Sequence, residues 1–144
     1  MIKNIFILIL FSFLLTSCNV FKCKKKDAVS KLEGAWELTY ITGPRIAFEG
    51  LYPNKKPNIN FNTKENVVSG NNSCNSYTGK LEVKENKIDF TGPMVSTKMM
   101  CLDGQGEQVF MNTLSKVTSY TISDDGKTLN LISGDIETMR FNKK

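Results

Sequence analysis

The chain has 144 residues, 40% hydrophobic and 23% charged, with 19 basic and 14 acidic side chains, a formal net charge of +5 and no histidine. The missing imidazole excludes Ser-His-Asp and Cys-His catalysis, imidazole general bases and histidine-ligated metals. The positive charge is local: without Lys3, Lys22, Lys24, Lys25, Lys26 and Asp27, residues 28–144 hold 14 basic against 13 acidic side chains, so there is no electrostatic case for a nucleic-acid partner.

Met1-Ile2-Lys3 opens the chain, and residues 5–15 are apolar except for Ser12. That run is shorter than the ~20 residues of a membrane span but suits the core of a signal peptide. It ends in Leu15-Thr16-Ser17-Cys18. A leucine, two small residues and a cysteine resemble the bacterial lipobox, in which the cysteine is lipidated and the peptide is cut before it. An ordinary signal peptide followed by a chance cysteine is the alternative, and the order of residues favours the lipobox. The expectation is a signal peptide over 1–17, a lipidated lysine-rich tether over 18–31 and one domain over 32–144, with Cys18 as the anchor. The partner surface would then be a membrane and the setting the cell envelope, where disulfides are permitted. About 115 residues suffice for one domain and one core.

Ala35-Trp36-Glu37-Leu38-Thr39-Tyr40-Ile41 alternates and predicts a half-buried strand with Trp36, Leu38 and Tyr40 inward. Gly43-Pro44 ends it, and residues 45–57 read as a loop with at most a short strand around Ile46-Ala47-Phe48. Asn58-Ile59-Asn60-Phe61-Asn62 and Val67-Val68-Ser69-Gly70-Asn71 are the next strands. Lys80-Leu81-Glu82-Val83-Lys84 and Lys87-Ile88-Asp89-Phe90-Thr91 flank Glu85-Asn86 as a hairpin, with Asn86 able to take a positive φ. Pro93 breaks the ladder before Met94-Val95-Ser96-Thr97-Lys98.

A helix is predicted over about 104–116, with Asp103 as its cap, Glu107 in its first turn and Phe110, Leu114 and Val117 as a core stripe. A hairpin over 118–132 turns at Asp124-Asp125-Gly126, and Glu137-Thr138-Met139-Arg140-Phe141 is the last strand, with Met139 and Phe141 inward. The fold class is therefore α+β and strand-dominated: an antiparallel meander, strongly bent or partly closed into a barrel, with one helix.

Cys23, Cys74 and Cys101 accompany Cys18. Cys23 sits on the tether as the odd thiol, and a Cys74–Cys101 disulfide is the preferred pairing in an oxidising compartment. Two buried free thiols are the alternative. A metal is disfavoured, because a cysteine pair without histidine is a poor zinc set, and no cofactor is expected. The carboxylates alternate opposite apolar residues (Glu37, Glu82, Asp89) or occupy turns, so no catalytic residue is assigned. Only Glu107, at the helix start and close in sequence to Cys101, stands apart.

Trp36-x-Leu38, Pro57-x-Ile59-x-Phe61, Val68-x-Gly70-x-x-x-Cys74-Asn75-x-Tyr77-x-Gly79, Thr97-Lys98-Met99-Met100-Cys101, Glu107-x-x-Phe110, Leu114, Leu129-x-Leu131 and Phe141 follow in that order. Over residues 33–142 the chain resembles the META domain, also called the HslJ-like family. The family's glycine before the first cysteine is replaced by Ser73. The resemblance implies a compact, mostly antiparallel β domain with one helix, often carried on bacterial lipoproteins. It also implies a link to stress response, antibiotic tolerance, motility or virulence.

Asn71, Asn72, Asn75, Ser76 and Tyr77 cluster beside the expected bridge. They either satisfy turn backbone or form a rigid recognition surface for an envelope protein or glycan. The function expected is that of a non-enzymatic envelope lipoprotein with a binding or structural role. The alternatives are a carboxylate-dependent hydrolase, or an inhibitor of an extracellular hydrolase using loop 44–57.

Overall fold

The structure, a computed structural model, describes residues 29–101 and 104–144. The expectations for the signal peptide, Cys18, Cys23, the tether lysines and the Asp103 cap lie outside those residues. Residues 29–32 are helical and lead into the first strand, where the Trp36 indole N–H donates to the Leu32 carbonyl at 2.8 Å.

Ten strands follow: β1 (Gly34–Ile41), β2 (Asn58–Asn62), β3 (Val67–Asn71), β4 (Ser76–Lys80), β5 (Glu82–Lys84), β6 (Lys87–Asp89), β7 (Met94–Ser96), β8 (Ser119–Ile122), β9 (Thr128–Ser133) and β10 (Ile136–Lys143). Two helices interrupt them, α1 (Phe48–Leu51) and α2 (Gly104–Leu114). All strands join one sheet in the order β5-β6-β8-β9-β10-β1-β2-β3-β4-β7, with every neighbouring pair antiparallel.

The chain runs from β4 into β5 through Leu81 alone, yet these strands lie near opposite ends of the sheet. One residue spans only about 3.5 Å, so the sheet must curl until its ends approach. The result is the expected strand-dominated half-barrel. Leu81 is buried at this junction, and its N–H reaches the Asn66 carbonyl at 2.8 Å.

The concave face holds the core. Trp36, Leu38, Ile59, Phe61, Val68, Leu129, Leu131, Met139 and Phe141 are buried there. Helix α2 caps them with Phe110 and Leu114, and Val117 follows beyond its end. Phe110 sits between Tyr77 and Phe141, with ring centroids at 5.8 and 6.5 Å. Burying an aromatic side chain of this kind contributes about 1.5–3 kcal/mol.

Three local expectations are corrected. Tyr40 faces outward and Ile41 inward, because the β1–β10 register slips between Leu38 and Tyr40. A bulge there inserts Thr39 without a partner and reverses the alternation beyond it. Residues 48–51 are helical, where a loop with at most a short strand is expected, and Leu51 and Tyr52 are buried, which anchors the middle of loop 44–57. In the β5–β6 turn the positive φ belongs to Glu85 at 60°, not to Asn86.

Candidate functional site

Strands β3 and β4 are joined by residues 72–75, a turn built by side-chain amides. The Asn71 Oδ1 accepts from the Ser73 N–H at 3.1 Å. The Asn72 Oδ1 accepts from the N–H groups of Cys74 and Asn75 at 3.3 and 2.7 Å. The backbone closes with the Asn72 N–H on the Asn75 carbonyl at 2.9 Å. Ser73 takes φ 93°, a left-handed conformation that suits glycine. The glycine of the family pattern falls at this residue.

Beside the turn runs a strap, residues 97–101, that follows β7. Asn75 clamps it: its Oδ1 accepts from the Met99 N–H and the Thr97 hydroxyl, each at 2.8 Å. Cys101, at the end of the strap, is brought to disulfide distance from Cys74, with Cα atoms 6.1 Å apart.

Helix α2 completes the cluster with Glu107, whose Oε1 accepts from the Asn72 Nδ2 at 3.0 Å. The Asn75 Nδ2 lies 3.1 Å from both carboxylate oxygens. Glu107 Oε2 is 3.5 Å from the Cys101 Sγ. Cys74, Cys101 and Glu107 are each half-buried, and their ligand atoms all lie within 4.8 Å of one another.

The candidate surface residues therefore divide. Asn71, Asn72, Asn75 and Tyr77 are buried, with Asn72 wholly inaccessible, and only Ser76 is exposed. The asparagines do not form an exposed recognition face; they are the internal frame of the turn and strap. Tyr77 points into the core, donates to the Asn58 carbonyl at 3.0 Å, and has its phenol pKa pushed well above the usual range by burial.

What the frame presents outward is the strap and its approach. Val95, Met99 and Met100 are 72%, 59% and 99% exposed. A groove of about 660 Å³ lies against Met99 and Met100, lined also by Asn75, Thr97, Cys101, Glu107 and Met111. Met99 and Met100 enter the sequence reading only within the Thr97–Cys101 motif, although an adjacent apolar pair outside any alternating run was a signal that could have marked them as exposed. Glu107 stands out in the sequence only as a first-turn carboxylate near Cys101, because nothing local shows that it meets Asn72, 35 residues away.

A second hollow of similar volume lies between the β5–β6 hairpin and the end of α2. Lys84, Lys87 and Lys116 line it, but Glu82 and Asp89 are interspersed and Lys80 pairs with Glu82 at 2.8 Å. Its charges do not converge on one point.

A half-barrel with a helix over its concave face and a cysteine-held strap defines a small β scaffold. The META domain family matches residues 29–144, and the chain belongs to that family. A protein from Burkholderia xenovorans solved by NMR is similar in fold, with a TM-score of 0.63 and 22% identity over 81% of this chain and 86% of its own. A second NMR structure has a TM-score of 0.56 and 18% identity over 78% of this chain and 90% of its own. No curated protein matches the chain.

Proposed function

We propose that this META-domain protein is a membrane-anchored, non-catalytic binding module of the bacterial cell envelope, acting in envelope stress tolerance. The anchor is argued from Leu15-Thr16-Ser17-Cys18. Each buried CH₂ of an acyl chain contributes ~0.8 kcal/mol, so two or more chains on Cys18 would hold the protein on a bilayer.

The observation that carries the binding reading is the strap. A buried asparagine and the cysteine pair hold it from beneath, while Met99 and Met100 project into solvent. Rigid support lowers the entropy cost of binding, and methionine adapts to irregular apolar partners. The neighbouring β7 is a terminal strand of the sheet, with Val95 exposed on it, a form suited to an extended protein segment more than to a glycan. The non-catalytic reading is supported by the lack of any histidine and by the groove's described lining, in which Glu107 is the one carboxylate and so has no second carboxylate to form an acid–base pair.

The test is photo-cross-linking from Lys98 in the intact protein in its own membranes. A protein captured by the wild type and lost with Met99→Asp/Met100→Asp supports the reading. Capture that survives the double substitution overturns the strap as the binding face. Cys18→Ala should move the protein out of the membrane fraction, and unchanged fractionation would sink the anchor.

A further inference from the structure

We propose that Cys74, Cys101 and Glu107 form a zinc site when the two cysteines are reduced, so that bridge and metal are alternative staples of the same strap. The inference is independent of the membrane anchor and of any partner of the strap.

The donor set is the first ground. A third ligand joins the cysteine pair from α2, and its Oε2 stands 3.5 Å from the Cys101 Sγ. With Zn–S of about 2.3 Å and Zn–O of about 2.1 Å, a tetrahedral angle requires an S···O separation of about 3.6 Å. The carboxylate is thus already at ligand spacing from the Cys101 sulfur, and the two sulfurs must part.

The second ground is the amide support around the carboxylate. The Asn75 Nδ2 lies 3.1 Å from both Glu107 oxygens, 3.3 Å from the Met99 carbonyl and 3.6 Å from each of the two sulfurs. A primary amide has two N–H groups, so it serves at most two of these five acceptors well. Asn72 and Asn75 also supply the amide donors that orient a ligating carboxylate, as outer-shell groups do around bound metals. All three ligands are half-buried, which leaves the fourth position open to water from the groove.

The chemistry balances with a dithiol as reductant. The dithiol gives two electrons and two protons to the Cys74–Cys101 bond and becomes its own cyclic disulfide. Zn²⁺ then binds two thiolates and one carboxylate, and the two thiol protons pass to solvent.

The test uses the full chain in detergent with Cys18→Ser and Cys23→Ser, so that Cys74 and Cys101 are its only thiols. After reduction, Co²⁺ should bind one-to-one with sulfur-to-cobalt charge-transfer absorption, and Zn²⁺ should displace it. The unreduced chain should show neither. Glu107→Gln should weaken Zn²⁺ about 10-fold or more while the reduced protein stays folded by circular dichroism. If reduction unfolds the chain, Zn²⁺ should restore the fold, since metal binding is then coupled to folding. Absence of a one-to-one complex, failure to refold, or equal affinity in Glu107→Gln would each overturn the site.

Discussion

Gly106→Ala sets two effects of opposite sign against each other. Alanine is favoured over glycine inside a helix by up to about 1 kcal/mol. Gly106, however, is where α2 meets α1. A Cβ added there would stand 2.6 Å from the Leu51 carbonyl oxygen and 2.8 Å from the Tyr52 ring. The oxygen is backbone, and it belongs to a turn held by buried Leu51 and by the Tyr52 hydroxyl, which donates to the Gly106 carbonyl at 3.1 Å. Relief requires the two helices to separate, and overpacking of this kind costs about 1–3 kcal/mol. The clash should win, leaving Gly106→Ala destabilised by up to about 2 kcal/mol.

Gly104 supplies the control, since a Cβ there meets nothing within 4 Å. Gly104→Ala should be neutral or stabilising by up to about 1 kcal/mol. Urea unfolding read from Trp36, the chain's single and wholly buried tryptophan, separates the two. The midpoint should fall for Gly106→Ala and hold or rise for Gly104→Ala, with m-values unchanged. Separation of α2 also carries Glu107 away from Asn75, so the Met99 amide should exchange faster with deuterium in Gly106→Ala. A midpoint for Gly106→Ala at or above wild type would refute the close approach.

Ser73→Gly should raise stability by about 1 kcal/mol in thermal melts, because it relieves a left-handed φ of 93°; a loss would show that the serine hydroxyl matters more than the backbone. Asn75→Ala should cost roughly 3 kcal/mol, from two neutral hydrogen bonds and one to a carboxylate, and should strip protection from the Met99 amide. Cys74→Ala/Cys101→Ala opens a loop of sequence separation 27 and should cost about 3.5 kcal/mol in the chain-entropy model, checked by urea midpoints of the unreduced proteins. Burial raises the phenol pKa values of Tyr52, Tyr77 and Tyr120 in the folded state. Their stabilisation is complete below the unfolded value near 10 and is lost as pH rises above it, by up to about 1.4 kcal/mol per pH unit per tyrosine. Tyr52→Phe and Tyr77→Phe should each flatten that alkaline decline.

The local pattern is sufficient to place most strands. Ile59 and Phe61, Ile88 and Phe90, and Met139 and Phe141 alternate with polar residues, and each of these apolar side chains is buried. A pleat with a repeat of two leaves such residues no other way to face a common core. The α2 stripe of Phe110, Leu114 and Val117 follows the same logic at helical period. Alternation cannot announce where it breaks, however: the slip after Leu38 that turns Tyr40 out and Ile41 in depends on how β1 meets β10, about 100 residues later.

The candidate site was less legible. Asn71, Asn72, Asn75 and Tyr77 are residue types common in exposed turns, and the cover that buries them is assembled from distant segments. The packing of α2 and the strap makes the asparagines an internal frame, and it sets a carboxylate beside two sulfurs from separate stretches of chain. That arrangement is a property of curvature: one buried leucine, Leu81, leads from β4 to β5, and those neighbours in sequence become opposite regions of one sheet only because β8, β9, β10 and β1, from distant parts of the chain, pair between them.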